Sequence, residues 1–202
     1  MNILEHNPGD YFHGVVDIYE GDDGVCLKRV TDVQMAHYEG CNDRWPLRAQ
    51  CNAGVTLELK TDSRILDISF GVVEGARQYL GLDVEVDGVL VRSVYVADYS
   101  KSGGVTITNN VSGLGGVLSE GEGMFGVRLF EYEDQKERTV RVFLPQSVGL
   151  AFRSVVVDDG ASVSVVEEAT RKLLCLGDSI TQGMDAKRPM TAYATQLARL
   201  LD

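Results

Sequence analysis

The stretch LDVEVDGVLV, residues 82–91, decides the fold class of this chain. Its first five residues alternate apolar with acidic side chains, and the apolar spacing of two continues after Asp87-Gly88, as in half-buried strands. A two-residue Asp-Gly link favours a type I′ turn, because both central residues of that turn need a positive φ. The stretch therefore predicts a β-hairpin and, with it, an antiparallel sheet.

The same period of two recurs along most of the chain. Short strands are predicted at 13–19, 25–30, 55–60, 64–70, 82–86, 89–93, 105–108, 125–130, 139–144, 150–157 and 162–167. Turn residues separate them, and no helical pattern intervenes, which is typical of an antiparallel β-sandwich or jelly roll. Residues 1–169 are therefore predicted to form one mainly β domain.

The overall charge restricts the possible partners. The 202 residues include 19 Lys or Arg and 30 Asp or Glu, giving a formal net charge of −11. Nucleic acids are bound through Lys and Arg, so this balance argues against a nucleic-acid partner. No apolar run approaches the ~20 residues that a membrane span needs, so no membrane partner is expected. The amino terminus has no signal-peptide pattern, and a cytoplasmic location is expected.

The four cysteines show no spacing that is typical of a metal site. Cys26, Cys41, Cys51 and Cys175 are scattered, with no histidine at ligand spacing. Free thiols and no bound metal are therefore expected. The pair Cys41 and Cys51 is the one possible disulfide worth checking.

The pattern changes near residue 170. Residues 171–176 form a short continuous apolar run, which predicts a strand buried on both faces, as in a parallel sheet. Residues 190–201 carry apolar side chains at helical spacing and predict an amphipathic helix. Between them, Gly177–Gly183 makes a tight turn. Such a turn could simply be a helix cap. It could also present Ser179 at a strand end as a nucleophile, with its own N–H aimed at an oxyanion.

The run LCLGDSITQG, residues 174–183, resembles the first conserved block of the SGNH, or GDSL-type, hydrolases. These are esterases and deacetylases with a flavodoxin-like three-layer fold. Residues 186–189 with Tyr193 also resemble the members that carry an N-terminal β-sandwich, among them carbohydrate esterases. The resemblance implies that Ser179 is the nucleophile and a backbone oxyanion donor, and that Asp178 shapes the turn. It implies no cofactor.

The resemblance stops short of a complete catalytic site. In the family, the general base is a histidine near the carboxyl terminus, three residues after an aspartate, and an asparagine supplies an oxyanion donor. Residues 180–202 contain neither histidine nor asparagine. His6, His13 and His37 all lie in the β part of the chain and would make a different constellation. A serine without a positioned base is a poor nucleophile, so the chain alone is expected to be inactive.

The resemblance therefore implies a mainly β chain: an antiparallel β-sandwich or jelly roll over 1–169, then the first strand and helix of an incomplete flavodoxin-like hydrolase domain over 170–202. The expected function is the N-terminal portion of a serine esterase or acylhydrolase. It would cleave a small acyl ester, with acetyl on a carbohydrate as one candidate, through an acyl-serine intermediate. Because one strand and one helix cannot bury their own apolar faces, 170–202 should pack on the sandwich, self-associate or meet a complementary C-terminal fragment.

Two alternatives remain open at this stage. Arg188 either recognises a substrate oxygen or pairs with an acidic side chain of this acidic chain. The β domain either supports a hydrolase or is a non-catalytic carbohydrate-binding or accessory module. Its candidate sugar-stacking aromatic residues, which could equally be packing residues, are Trp45, Tyr79, Tyr95 and Tyr99.

Overall fold

Two antiparallel sheets form most of the chain. The computed structural model describes residues 1–99, 105–109, 118–121, 123–167, 169 and 172–201. The first sheet has seven strands, in spatial order β1 (Phe12–His13), β4 (Thr56–Thr61), β11 (Arg138–Phe143), β6 (Leu80–Val86), β7 (Val89–Val96) and β8 (Val105–Asn109), with β13 (Val163–Ser164) also paired to β4. The second sheet has six strands, in order β2 (Asp17–Gly21), β3 (Gly24–Lys28), β12 (Gly149–Val157), β5 (Ile65–Val73), β10 (Met124–Glu131) and β9 (Leu118–Gly121).

The hairpin predicted from residues 82–91 is confirmed. Strands β6 and β7 pair antiparallel, with Val86 opposite Val89. Asp87 has φ +50° and Gly88 has φ +80°, as a type I′ turn requires. The other predicted strands also have counterparts, although 13–19 is displaced to Asp17–Gly21 and 162–167 is reduced to Val163–Ser164.

One apolar core lies between the two sheets. Alternate residues of β6, such as Leu82 and Val84, point into it from the first sheet, and Phe70 and Phe152 point into it from the second. The rings of Phe70 and Phe152 lie 6.3 Å apart, and that of Phe12 lies 5.0 Å from Phe152. The apolar residues that alternate along each strand therefore face this core, and the residues between them lie on the outer faces of the sheets.

The helices are α1 (Asp32–Cys41), α2 (Arg44–Ala49), α3 (Ser179–Gln182) and α4 (Tyr193–Leu201). Helix α4 confirms the helix predicted over 190–201, where a 3₁₀ turn at Pro189–Thr191 precedes it. Helices α1 and α2 were not predicted. A capping box begins α1, since Gln34 N donates to Thr31 Oγ1 and Thr31 N donates to Gln34 Oε1. That T-x-x-Q spacing was the available signal in the sequence. No described helix is long and apolar enough to cross a membrane.

The predicted fold class is wrong. Of the expected buried parallel strand over 171–176, residues 172–176 form no strand, and Arg171 lies outside the described residues. Leu174 and Leu176 are 79% and 83% exposed. Every strand pair among the described residues is antiparallel, and neither a jelly roll nor the beginning of a flavodoxin-like sheet is evident. A strand buried on both faces needs neighbouring strands and covering helices, and the described residues place none around this run.

Asp158 provides a test of acid stability. Its Oδ2 accepts hydrogen bonds from Arg64 N at 2.8 Å and from Ser63 Oγ at 3.3 Å. These bonds, that of Arg64 N first, lower the pKa of Asp158 below its ordinary value. A carboxylate with a lowered folded-state pKa stabilises the fold above its unfolded pKa of about 3.9, and this contribution is lost as pH falls through the folded pKa.

We therefore expect Asp158→Asn to flatten the fall of the free energy of unfolding below about pH 4. Urea denaturation at a series of pH values measures this slope. Replacement of exposed Asp10 by asparagine is the matched control and should leave the slope as it is in the wild type. Equal slopes for Asp158→Asn and the wild type would contradict the assignment.

Candidate active site

Ser179 is the first residue of the short helix α3, and its side chain is exposed. Asp178 caps this helix, because its Oδ1 accepts a hydrogen bond from Ile180 N at 2.9 Å. Gly183 ends the helix with φ +82°, a conformation that glycine adopts readily. The turn therefore presents the Ser179 hydroxyl at the surface. Its main-chain N–H is among those at a helix start that have no partner within the helix.

Hydrogen bonds hold α3 and the residue that follows Gly183 against residues 1–169, which we call the β part of the chain. Gln182 Nε2 donates to the carbonyl oxygens of Arg48, at 3.0 Å, and Gln146, at 3.4 Å. The carbonyl oxygen of Met184 accepts from Ser147 Oγ at 3.1 Å and from the Tyr79 hydroxyl. The helix that carries Ser179 therefore lies directly beside the end of α2.

Arg188 lies against a buried carboxylate. Its Nη1 donates to Asp83 Oδ1 at 3.0 Å and to Ser93 Oγ, while Met190 N donates to Asp83 Oδ2 at 2.8 Å. Asp83 is fully buried on the outer face of the first sheet. The structure thus shows the pairing of Arg188 with an acidic side chain that the sequence left open. A role of Arg188 in substrate binding stays a prediction.

A row of alternating charges holds α4 on the same face of the first sheet. Arg199 Nη2 lies 2.7 Å from Glu85 Oε2, and Arg141 lies between Glu85 and Glu58, with its Nε 2.9 Å from Glu58 Oε1. The strand register explains the row, because Arg141 of β11 is opposite both Glu58 of β4 and Glu85 of β6. Residues 170–202 were expected to pack on the β part, to self-associate or to meet a complementary fragment. The structure shows residues 182–199 packed on the β part.

A cleft of about 1380 Å³ lies between residues 172–201 and the rest of the described chain. Asp178, Ser179 and residues of α4 line one side. The outer face of β4 and β11 contributes Thr56, Glu58 and Arg141. Residues of α1 and α2 line it too, among them Tyr38 and Trp45. Sequence reasoning missed this helical wall because it missed both helices.

Arg29 carries a half-buried positive charge at the lining of the cleft. Its Nη1 donates to the carbonyl oxygen of Ala53 at 2.9 Å, its Nη2 to that of Arg48 at 3.3 Å, and its Nε to that of Cys51. Burial lowers the pKa of Arg29, and no carboxylate contributes to the shift. A half-buried cation whose hydrogen bonds among the described residues go to carbonyl dipoles raises the positive potential around it.

The structure does not bring a histidine to Ser179. No hydrogen bond of the Ser179 hydroxyl is recorded among the described residues. His37 lies on α1 with Nε2 3.5 Å from Cys41 Sγ. No hydrogen bond links His6 or His13 to α3 in the described part of the chain. A serine hydroxyl needs a base at hydrogen-bond distance to act as a nucleophile, and among the described residues no histidine is hydrogen-bonded to Ser179.

The four candidate aromatic residues have different surroundings. Trp45 is 42% exposed and lies edge-on to Tyr38, with ring centroids 5.9 Å apart. Tyr79 and Tyr95 lie 5.8 Å apart, and Tyr79 also anchors the loop at Met184. Tyr99 packs against the core. Trp45 therefore combines exposure with a place in the cleft that contains Ser179.

All four cysteines are free, so Cys41 and Cys51 form no disulfide. Cys41 is exposed on α1, whereas Cys51 is buried and donates from Sγ to the carbonyl oxygen of Leu47 at 3.3 Å. Burial raises the pKa of Cys51. Within the described ranges, no group of three or more His, Cys, Asp or Glu residues is placed to hold a metal ion.

Comparison with known proteins finds similarity at the level of structure. No family model and no curated protein matches the chain. The chain is similar to the salicylyl-acyltransferase SsfX3 from a tetracycline biosynthetic pathway, with TM-score 0.69 and 21% identity, covering 94% of this chain and 48% of that one. It is similar to a protein described as a GDSL-like lipase from Bacteroides ovatus, with TM-score 0.57 and 19% identity, covering 85% and 47%.

A third similar structure is a family two carbohydrate esterase from Clostridium thermocellum in complex with cellohexaose. Its TM-score is 0.52 at 13% identity, and the match covers 75% of this chain and 43% of that one. The chain thus spans about half the length of the solved structures that it matches. At these identities the comparison shows a shared fold.

Proposed function

We propose that residues 1–202 are part of a serine acyl-transfer enzyme of the SGNH type, in which Ser179 is the nucleophile. The observation that carries this proposal is the exposed Ser179 hydroxyl at the edge of a large cleft, on a turn shaped by Asp178. The names of the similar structures, an acyltransferase, a GDSL-like lipase and a carbohydrate esterase, support the same reaction class.

The reaction has two steps. Ser179 Oγ bonds to the carbonyl carbon of the ester, its proton passes to a general base, and the alcohol leaves with a proton from that base. Water then attacks the acyl-serine and releases the acid and free Ser179. The main-chain N–H of Ser179 donates to the oxyanion that forms in each step. Because no histidine is hydrogen-bonded to the Ser179 hydroxyl in the described part of the chain, we place the general base outside residues 1–202 and expect little activity from this chain alone.

The two parts of the chain have different roles in this proposal. We place the boundary between residues 169 and 170, with 170–202 as the beginning of the catalytic part and 1–169 as its support. The contacts of Gln182, Arg188 and Arg199 with the β part support this division, because they position the nucleophile turn on a preformed surface. Acetyl on a carbohydrate is one candidate ester, and the cellohexaose bound by one similar structure supports a sugar-type substrate.

A second candidate is a non-catalytic carbohydrate-binding or accessory module. The exposed Trp45 ring favours it, because sugars stack on such rings. The two candidates differ in whether Ser179 can react, and a nucleophile assay separates them.

The assay supplies the base from solution. The chain is incubated with a fluorophosphonate probe, with and without imidazole, and labelled peptides are identified by mass spectrometry. Imidazole takes the Ser179 proton while the Oγ–P bond forms and fluoride leaves. We expect imidazole to raise the labelling rate at Ser179 at least about tenfold, which is less than the roughly 10²- to 10⁴-fold of a positioned general base because free imidazole is not held beside the hydroxyl.

Two variants control this assay. Ser179→Ala should abolish the imidazole-dependent label. Ser162→Ala, which removes an exposed serine elsewhere on the surface, should leave it unchanged. If imidazole does not raise labelling at position 179, the accessory-module hypothesis is favoured and the nucleophile assignment fails.

A further inference from the structure

We infer that the α1–α2 wall of the cleft is a binding site for a ring that carries an anionic group, and that this site selects the ester presented to Ser179. The inference rests on the proposed function only for its second part. The ligand chemistry follows from Trp45, Arg48 and Arg29.

Trp45 and Arg48 lie on one face of α2. They are three residues apart, and side chains at this spacing are neighbours on a helix surface. Both are exposed, and both line the cleft. Tyr38 meets Trp45 edge-on at an interplanar angle of 79°, which restricts the orientation of the indole ring. The wall therefore offers a flat apolar surface beside a guanidinium group.

The charged side chains that line the cleft favour binding of an anion. The described residues that line the cleft include five basic side chains (Arg29, Arg48, Arg141, Lys172 and Arg199) and two acidic ones (Glu58 and Asp178). Arg141 and Arg199 are paired with glutamates. The Arg48 side chain forms no ion pair among the described residues, and the half-buried cation Arg29 donates to the Arg48 carbonyl oxygen. In a chain of net charge −11, this is a local concentration of positive charge.

The wall is also close to Ser179. The carbonyl oxygen of Arg48 accepts hydrogen bonds from both Arg29 Nη2 and Gln182 Nε2. Gln182 is the last residue of α3, the helix that begins at Ser179. One main-chain carbonyl therefore joins the cationic wall to the nucleophile helix. A ligand ring on Trp45, with its anionic group on Arg48, would lie in the same cleft as the Ser179 hydroxyl.

The binding site can be tested without catalysis. Trp45 is the single tryptophan of the chain, so intrinsic fluorescence excited at 295 nm reports on this wall alone. Benzoate and phenyl phosphate are the two anionic probes, and they separate carboxylate from phosphate recognition. Benzyl alcohol carries a similar ring without charge, and cellobiose is the neutral sugar. We expect at least one anionic probe to bind at least about tenfold more tightly than both neutral probes, as one charge-assisted hydrogen bond provides.

Matched variants identify the cation. Arg48→Gln should weaken binding of the anionic probe about tenfold, whereas Arg44→Gln, one turn away on α2 and not among the cleft residues, should leave it unchanged. Equal melting temperatures would show that both variants fold. If benzyl alcohol or cellobiose binds as tightly as the anions, or if Arg48→Gln binds like the wild type, the inference is overturned.

The failure of this inference is separable from that of the proposed function. Ser179→Ala should bind the anionic probe as the wild type does, because the wall does not use the hydroxyl. Anion binding without imidazole-dependent labelling of Ser179 would retain the site and reject the nucleophile. Labelling of Ser179 without anion binding would retain the nucleophile and reject the anion-binding site.

Discussion

Replacement of Asp83 by alanine is expected to release the segment that carries Ser179 and to lower the free energy of unfolding by about 2 to 3 kcal/mol. Asp83 is fully buried and accepts hydrogen bonds from the Arg188 guanidinium, the Ser93 hydroxyl and Met190 N. Alanine leaves all three donors without this acceptor. The value lies below that of a fully buried pair because Arg188 is 32% exposed and can gain water.

Two measurements check this expectation. Urea denaturation gives the change in the free energy of unfolding, and limited trypsin digestion reports exposure of the bond after Lys187, since the bond after Arg188 precedes Pro189 and resists trypsin. The matched control is Asp185→Ala, which removes an exposed ion pair with Arg77 and should change both readouts far less. If cleavage after Lys187 is as slow in Asp83→Ala as in the wild type, the buried carboxylate does not hold this segment.

Replacement of Gly81 by alanine should cost about 2 kcal/mol, in the usual range for overpacking a close contact. A Cβ atom on Gly81 would lie 2.3 Å from the carbonyl oxygen of Lys187 and 3.0 Å from Arg188 Cα. Both are main-chain atoms, so no side-chain rotation can relieve the contact. The segment must therefore move away from β6, and the hydrogen bonds of Arg188 with Asp83 should weaken with it.

Gly40→Ala is the control for Gly81→Ala and should have the opposite sign. Gly40 lies in α1, and a Cβ atom there would meet nothing within 4 Å. Alanine in a helix is favoured over glycine by roughly 0.5–1 kcal/mol, so this variant should be slightly more stable. Because Asp83→Ala and Gly81→Ala release the same segment, the double variant should lose less than the two single losses together. Full additivity in urea denaturation would contradict a shared anchor.

The strands could be predicted because their signal is local. The alternation over 82–86 and the Asp87-Gly88 turn are properties of neighbouring residues, and they appear as β6, β7 and the hairpin between them. The helix over 190–201 was predicted for the same reason. The expected strand at 171–176 was wrong, because an apolar run becomes a buried strand only where other strands cover it.

The candidate site was predictable only in part. The motif around Ser179 predicts a nucleophile at this position, and that role stays a prediction that the labelling assay tests. Trp45 was a candidate for sugar stacking, but the helical wall that places it beside Arg48 was not predicted. Helix α2 is only six residues long, and α1 buries no residue and has little helical periodicity to detect. The capping box from Thr31 to Gln34 was its one visible signal. Likewise, Arg188 could be considered for two roles, and only the position of Asp83 identified its partner.

By itself, the sequence determined most strands of the two sheets, the hairpin turn, the last helix and the Gly-Asp-Ser turn, because each depends on interactions between residues close along the chain. Only the tertiary structure decided that α3 lies beside α2 and that Arg188 pairs with Asp83. These contacts join residues 134 and 105 positions apart. Their formation depends on how the sheets pack and which outer face remains free, and no local pattern carries that information.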